Sequence, residues 1–193
     1  MKFTRSTIEI NRELSKLDLF MIDFTNILKK YTSYVIVSGY VAILLGRARA
    51  SEDIDIIIPR IDYSTFRSLL KELKEKEFYC LNGDDDKYLF EYMLEKIPLR
   101  FAKIDTIIPN IELKCSENRF DELSLEKTML VKLPGGVEVP IPHLELQVAF
   151  KEAVLRSPKD LEDALYIRTV AKEIIDEKLI EEYKVKLNEF YRG

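Results

Sequence analysis

The 193-residue chain has no tryptophan, one histidine, two cysteines and six glycines, and each scarcity removes a class of chemistry. A lone histidine, His143, leaves no partner for a histidine-based zinc site or a Ser-His triad, and after Pro142 at the start of an expected helix it reads as structural. Cys80 and Cys115 stand in neither a metal-binding spacing nor a secreted disulfide framework, so reduced thiols are expected. No apolar run is long enough to span a bilayer, and no charged-then-apolar leader opens the chain. No membrane partner and a cytoplasmic location are therefore expected. The net charge of -4 carries no global signature of nucleic-acid binding, so an RNA partner would have to use a local patch.

What is present is charge and a core. Charged residues make up 33% of the chain and apolar residues 47%. Lys- and Glu-rich helices with little glutamine are a composition reported for thermophile proteins. Periodicity predicts an opening helix over about 7 to 30, and strands over about 34 to 38, 53 to 59 and 99 to 108. A helix from a capping Asp62 to about Lys76 lies between the last two strands, with a strand or helix near 87 to 95. Pro134-Gly135-Gly136 reads as the turn of a hairpin formed by 128 to 133 and 137 to 141. Pro158 separates helices over about 143 to 156 and 159 to 173, and a last helix covers about 176 to 191. The expected class is α+β: a mixed sheet flanked by helices over 1–141, then a helical region over 142–193 packed on it.

The most informative stretch is Arg49-Ala50-Ser51-Glu52-Asp53-Ile54-Asp55-Ile56-Ile57-Ile58. Side chains alternate along a strand, so Asp53 and Asp55 leave one face while Ile54, Ile56 and Ile58 leave the other. Same-face neighbours are roughly 6.5 to 7 Å apart, near enough for both carboxylates to lean toward a divalent ion. Like charges on one strand face repel, so the pair needs a reason to exist. Upstream, Tyr34 to Ser38 reads as a buried strand that meets Gly39 and a short helix. Glycine there lets the backbone approach a ligand, and Ser38 adds a hydroxyl donor. Arg47 and Arg49 follow, where a guanidinium can hold phosphate oxygens.

These residues resemble the nucleotidyltransferase superfamily related to DNA polymerase beta, whose signature is a Gly-Gly or Gly-Ser turn followed by Asp-hydrophobic-Asp. The segment Arg49 to Asp55 looks most like the Arg-x-Ser-x-Asp-hydrophobic-Asp of the abortive-infection type nucleotidyltransferase toxins and their archaeal relatives. A second match lies downstream, where Lys151, Ala153 and Arg156, then Lys159-Asp160-Leu161-Glu162-Asp163, are similar to that group's helical Lys and Lys-Asp-x-x-Asp motifs. The resemblance implies a nucleotidyltransferase-like fold, Mg2+ (or Mn2+) as cofactor, a nucleoside triphosphate substrate and an antitoxin partner. The acceptor stays open among RNA, protein and a small molecule.

By the same resemblance Asp53 and Asp55 hold metal, and Ser38, Gly39, Tyr40, Arg49 and Ser51 contact the nucleotide. Lys151 and Lys159 face its phosphates, with Asp160 and Asp163 positioning them; Arg156 and Arg168 are weaker candidates. The third carboxylate of the family belongs on a later strand. Asp105, an acid embedded in the apolar run Leu99 to Ile108, is the candidate metal ligand and proton acceptor. Asp84-Asp85-Asp86 follows Asn82-Gly83 and reads as a solvated turn. Tyr40 departs from the family, which has a small residue there: it can crowd a triphosphate, stack on a base or point into the core. A chain with Tyr40 filling the turn would be a non-catalytic binding or regulatory protein of the same fold.

Overall fold

The computed structural model describes residues 1–192. In chain order the elements are β1 (Lys2–Phe3), β2 (Thr7–Glu9), α1 (Lys16–Leu28), β3 (Val35–Ile36), α2 (Gly39–Leu44), β4 (Asp53–Ile58) and α3 (Tyr63–Glu75). Then come β5 (Phe78–Cys80), α4 (Asp86–Leu94), β6 (Leu99–Lys103), β7 (Asn110–Cys115), α5 (Arg119–Glu126), β8 (Thr128–Leu133) and β9 (Val137–Pro142). The chain closes with α6 (Leu144–Phe150), a π-helical turn (Lys151–Leu155), α7 (Pro158–Val170) and α8 (Glu177–Arg192). Among the described residues no helix is long and apolar enough to cross a membrane.

The main sheet runs β3-β4-β7-β6-β5, with β4 parallel to β7 and its other neighbours antiparallel. A second sheet runs β1-β2-β8-β9, closed by the hairpin whose turn Pro134–Gly136 puts both glycines at positive φ. The fold is α+β, as the sequence implies.

Ile54, Ile111 and Phe101 share a register across β4, β7 and β6 and therefore one face. There Phe24 of α1 packs on Phe78 and Phe101, with ring centroids 5.3 and 5.5 Å apart. This apolar layer turns Asp53 and Asp55 to the opposite face.

The opening element differs from the expected long helix. Residues 7 to 9 form a strand beside β8, and the helix begins only at Lys16, where Ser15 and Asp18 make a capping box. Residues 87 to 94 belong to a helix that Asp85 caps through the Lys87 and Tyr88 amides. The expected strand over 99 to 108 also breaks in two. β6 stops at Lys103, the Thr106 amide bonds back to the Lys103 carbonyl at 3.0 Å, and the chain returns as β7.

Candidate active site

Parallel pairing of β4 with β7 places Asp53 beside Asn110 and Asp55 beside Glu112. Neighbouring strands are about 4.8 Å apart, so acids in register on one face converge. Carboxylate oxygens of Asp53, Asp55 and Glu112 all lie within 4.8 Å of one another. Burial pushes the Asp55 carboxyl up to about 6, and the charges of Glu112 and then Asp53 push the same way, while Ser38 and Lys114 oppose the rise. Such a donor set is all oxygen, concentrated and negative, and fits a hard divalent cation. Arg100 of β6 borders it, with Nη2 3.4 Å from Glu112 Oε2.

Asp105 does not join this group. It lies exposed in the β6–β7 turn with φ of 65°. The third acid is instead Glu112. Its signal was the alternation in Asn110-Ile111-Glu112-Leu113-Lys114-Cys115, where Ile111, Leu113 and Cys115 are buried and Glu112 and Lys114 face out.

The turn between β3 and α2 stands beside the acids, since the Val37 amide bonds to the Asp55 carbonyl at 3.0 Å. Ser38 takes φ of 62° there. At Gly39 an added Cβ would sit 2.5 Å from Nη1 of Arg49, so the glycine makes room for a guanidinium laid against the backbone. Ser51 Oγ donates to the Asp53 carbonyl at 3.0 Å and fixes the start of β4.

Tyr40 takes the core alternative. It is 1% exposed, and its hydroxyl donates to Asp18 Oδ1 at 2.6 Å. Its ring is buried and presents no face for stacking.

Three of the downstream candidates, Lys151, Asp160 and Asp163, join Arg47 and Arg49 in an ionic cluster centred on the buried Lys151 and Asp163. Asp163 is fully buried on α7 and accepts from Arg47, from Arg49 Nη1 at 2.5 Å and from Lys151 Nζ at 3.0 Å. Lys151, itself 1% exposed in the π-helical turn, also bonds Asp160 Oδ1 at 3.0 Å. Ser157 caps α7 and donates to the other oxygen of Asp160 at 2.5 Å. Lys159 stays outside this cluster: it is exposed, and only its carbonyl is engaged there, accepting from Arg47 at 3.4 Å. Asp163 therefore pairs with Arg47, Arg49 and Lys151, and the i, i+4 spacing of Lys159 to Asp163 carries no ion pair.

No protein-family model and no curated protein matches the chain. Solved structures do. The solution structure of the antibiotic-resistance factor ANT(2'')-Ia aligns with a TM-score of 0.54 at 13% identity, over 90% of this chain and 92% of its own. The chain has a nucleotidyltransferase fold. A crystal structure of ANT(2'')-Ia in complex with adenylyl-2''-tobramycin aligns at 0.51 and 14% identity over 89% of this chain and 98% of that one. An antigenic nucleotidyltransferase-like protein from Paracoccidioides brasiliensis gives the same score and identity over 93% and 91%. In this nucleotidyltransferase fold, Asp53, Asp55 and Glu112 form the open acid site. Arg47, Arg49, Lys151 and Asp163 bind the helical half to the Gly39 turn.

Proposed function

We propose that the chain is a divalent-metal-dependent nucleotidyltransferase that moves a nucleoside monophosphate from a nucleoside triphosphate to an acceptor hydroxyl. The observation that carries this reading is the convergence of Asp53, Asp55 and Glu112 on one sheet face, supported by the likeness of fold. Asp53 and Asp55 would hold Mg2+ or Mn2+, with Glu112 beside them. A cation bound there supplies charge neutralisation on the phosphate oxygens and the leaving pyrophosphate. The acceptor oxygen attacks the α-phosphorus, the bond to the β-phosphate bridging oxygen breaks, and pyrophosphate leaves. Glu112 replaces Asp105 as the group that takes the acceptor proton.

Ser38, Gly39 and Arg49 form the seat for the triphosphate. Arg49 Nε is buried with no hydrogen-bond partner among the described residues, and the guanidinium lies on the glycine. The core position of Tyr40 removes the obstruction that favoured an inactive binding protein. The finer reading, a toxin-type enzyme with an antitoxin partner, rests on the Arg49 to Asp55 and Lys151 to Asp163 motifs alone. An α-labelled nucleotide assay, run with each of the four triphosphates against RNA, protein and small-molecule acceptors, tests the proposal. Metal-dependent transfer of label, lost in Asp53→Asn, is the expected result; no transfer with any acceptor argues against it.

A further inference from the structure

A buried polar link ties the start of α1 to α2, the helix that follows the Gly39 turn. Asp18, at the start of α1, is fully buried, and its carboxylate collects donors from three segments. Arg12 grips it from Nη1 at 2.5 Å and Nη2 at 2.9 Å. Ser15 donates from its amide at 2.7 Å and its hydroxyl at 2.8 Å. The remaining donor is the Tyr40 hydroxyl, at 2.6 Å from Oδ1. Tyr40 adjoins Gly39, so this bond ends one residue from the turn on which Arg49 lies.

We propose that Tyr40 is a positioning residue: its bond to the Asp18 carboxylate, held in turn by Arg12 and Ser15, fixes the Ser38-Gly39 turn against α1 and so sets nucleotide affinity. The second half rests on the transferase reading above. The physical reason is the shape of the turn. Ser38 sits at positive φ, a backbone state a non-glycine residue keeps only when its surroundings enforce it. α2 has six residues, too few to be rigid by itself. A charge-assisted hydrogen bond from its second residue to a buried carboxylate supplies the missing constraint. Because the turn meets the triphosphate in ground state and transition state alike, loosening it should weaken binding more than chemistry.

The experiment is hydrogen exchange on the full chain without nucleotide, comparing wild type with Tyr40→Phe, which keeps the ring and removes only the hydroxyl. Amides of the 37–41 turn should exchange about tenfold faster while those of β4 keep their wild-type rate. Asp18→Asn tests the other end of the bond. It removes the charge that assists the Tyr40 bond and the ion pair with Arg12, so the melting temperature should fall and turn exchange should rise as in Tyr40→Phe. With Mg2+ and ATP, GTP, CTP or UTP as probes, Tyr40→Phe should raise KM about tenfold and change kcat less. Unchanged turn exchange, a uniform rise across the chain, or a Tyr40→Phe chain that does not fold would each overturn the proposal. A wild-type chain that binds none of the four nucleotides would reject the transferase reading instead, and the exchange comparison would still decide the tether.

Discussion

Asp18 is a carboxylate under opposed demands. Burial pushes its titration up, but the Arg12 guanidinium, the Tyr40 hydroxyl and the Ser15 donors outweigh burial and hold it at about 2. Its unfolded value is about 3.9, so the folded state binds the proton less tightly. The resulting stability is fully present above about pH 4 and is lost as pH falls toward 2; a carboxyl held this far below its unfolded value contributes about 2 to 3 kcal/mol. Arg12→Ala should reduce this contribution. Acid titrations monitored by circular dichroism should then show the variant unfolding at a higher pH than wild type, and coincident acid midpoints would contradict the assignment.

At the acid site, Glu112→Gln should lower transfer about a hundredfold or more, whereas Asp105→Asn should leave turnover within about twofold of wild type. Steady-state rates decide, and the reverse ranking would restore Asp105. The paired carboxylates on β4 were legible because a period of two separates acid from isoleucine. The third was less apparent: the alternation in β7 turns Glu112 and Lys114 out together, and only parallel pairing with β4 shows that Glu112 meets Asp55.

Among elements, α7 depends on charge rather than on an apolar stripe. The fully buried Asp163 receives three cations, and removing it leaves Arg47, Arg49 and Lys151 without their common partner. Asp163→Ala should therefore cost about 3 to 5 kcal/mol, more than Lys151→Met, which leaves Asp163 its two arginines. Urea melts of the two variants measure the difference; equal losses would mean that the two arginines do not hold Asp163 without Lys151.

The contact between Gly39 and Arg49 is a second link between elements. Gly39→Ala should cost about 1 to 3 kcal/mol by driving the guanidinium off the turn, and the same substitution in an Arg49→Ala background should cost much less. Additive losses in the double-mutant cycle would show that the glycine has another role. The resemblance sets Lys151 and Lys159 toward the phosphates, with Asp160 and Asp163 positioning them, and gives no sign that Lys151 and Asp163 are buried. Their burial follows from how α7 meets α2, where the Tyr166 hydroxyl bonds the Leu45 carbonyl at 3.0 Å, and no local period encodes that approach.

For the whole molecule, two faces meet at the main sheet: an apolar one packed on α1, and one that carries Asp53, Asp55 and Glu112. The α+β class, the hairpin and the helical ending could be read from periodicity and turn residues. The two strands that extend the hairpin into a second sheet could not, because β1 and β2 contain two and three residues, too few to show a period. Everything proposed for function depends on Asp53, Asp55 and Glu112 together making a divalent-metal centre for a nucleoside triphosphate. The decisive experiment is titration calorimetry of each nucleoside triphosphate into wild type and Glu112→Gln, with and without Mg2+. Binding to wild type should require Mg2+ and fall at least about tenfold in the variant, whose melting temperature should be unchanged or raised by the relief of like-charge repulsion. Binding that is indifferent to Mg2+, or equal in the two proteins, would contradict such a centre.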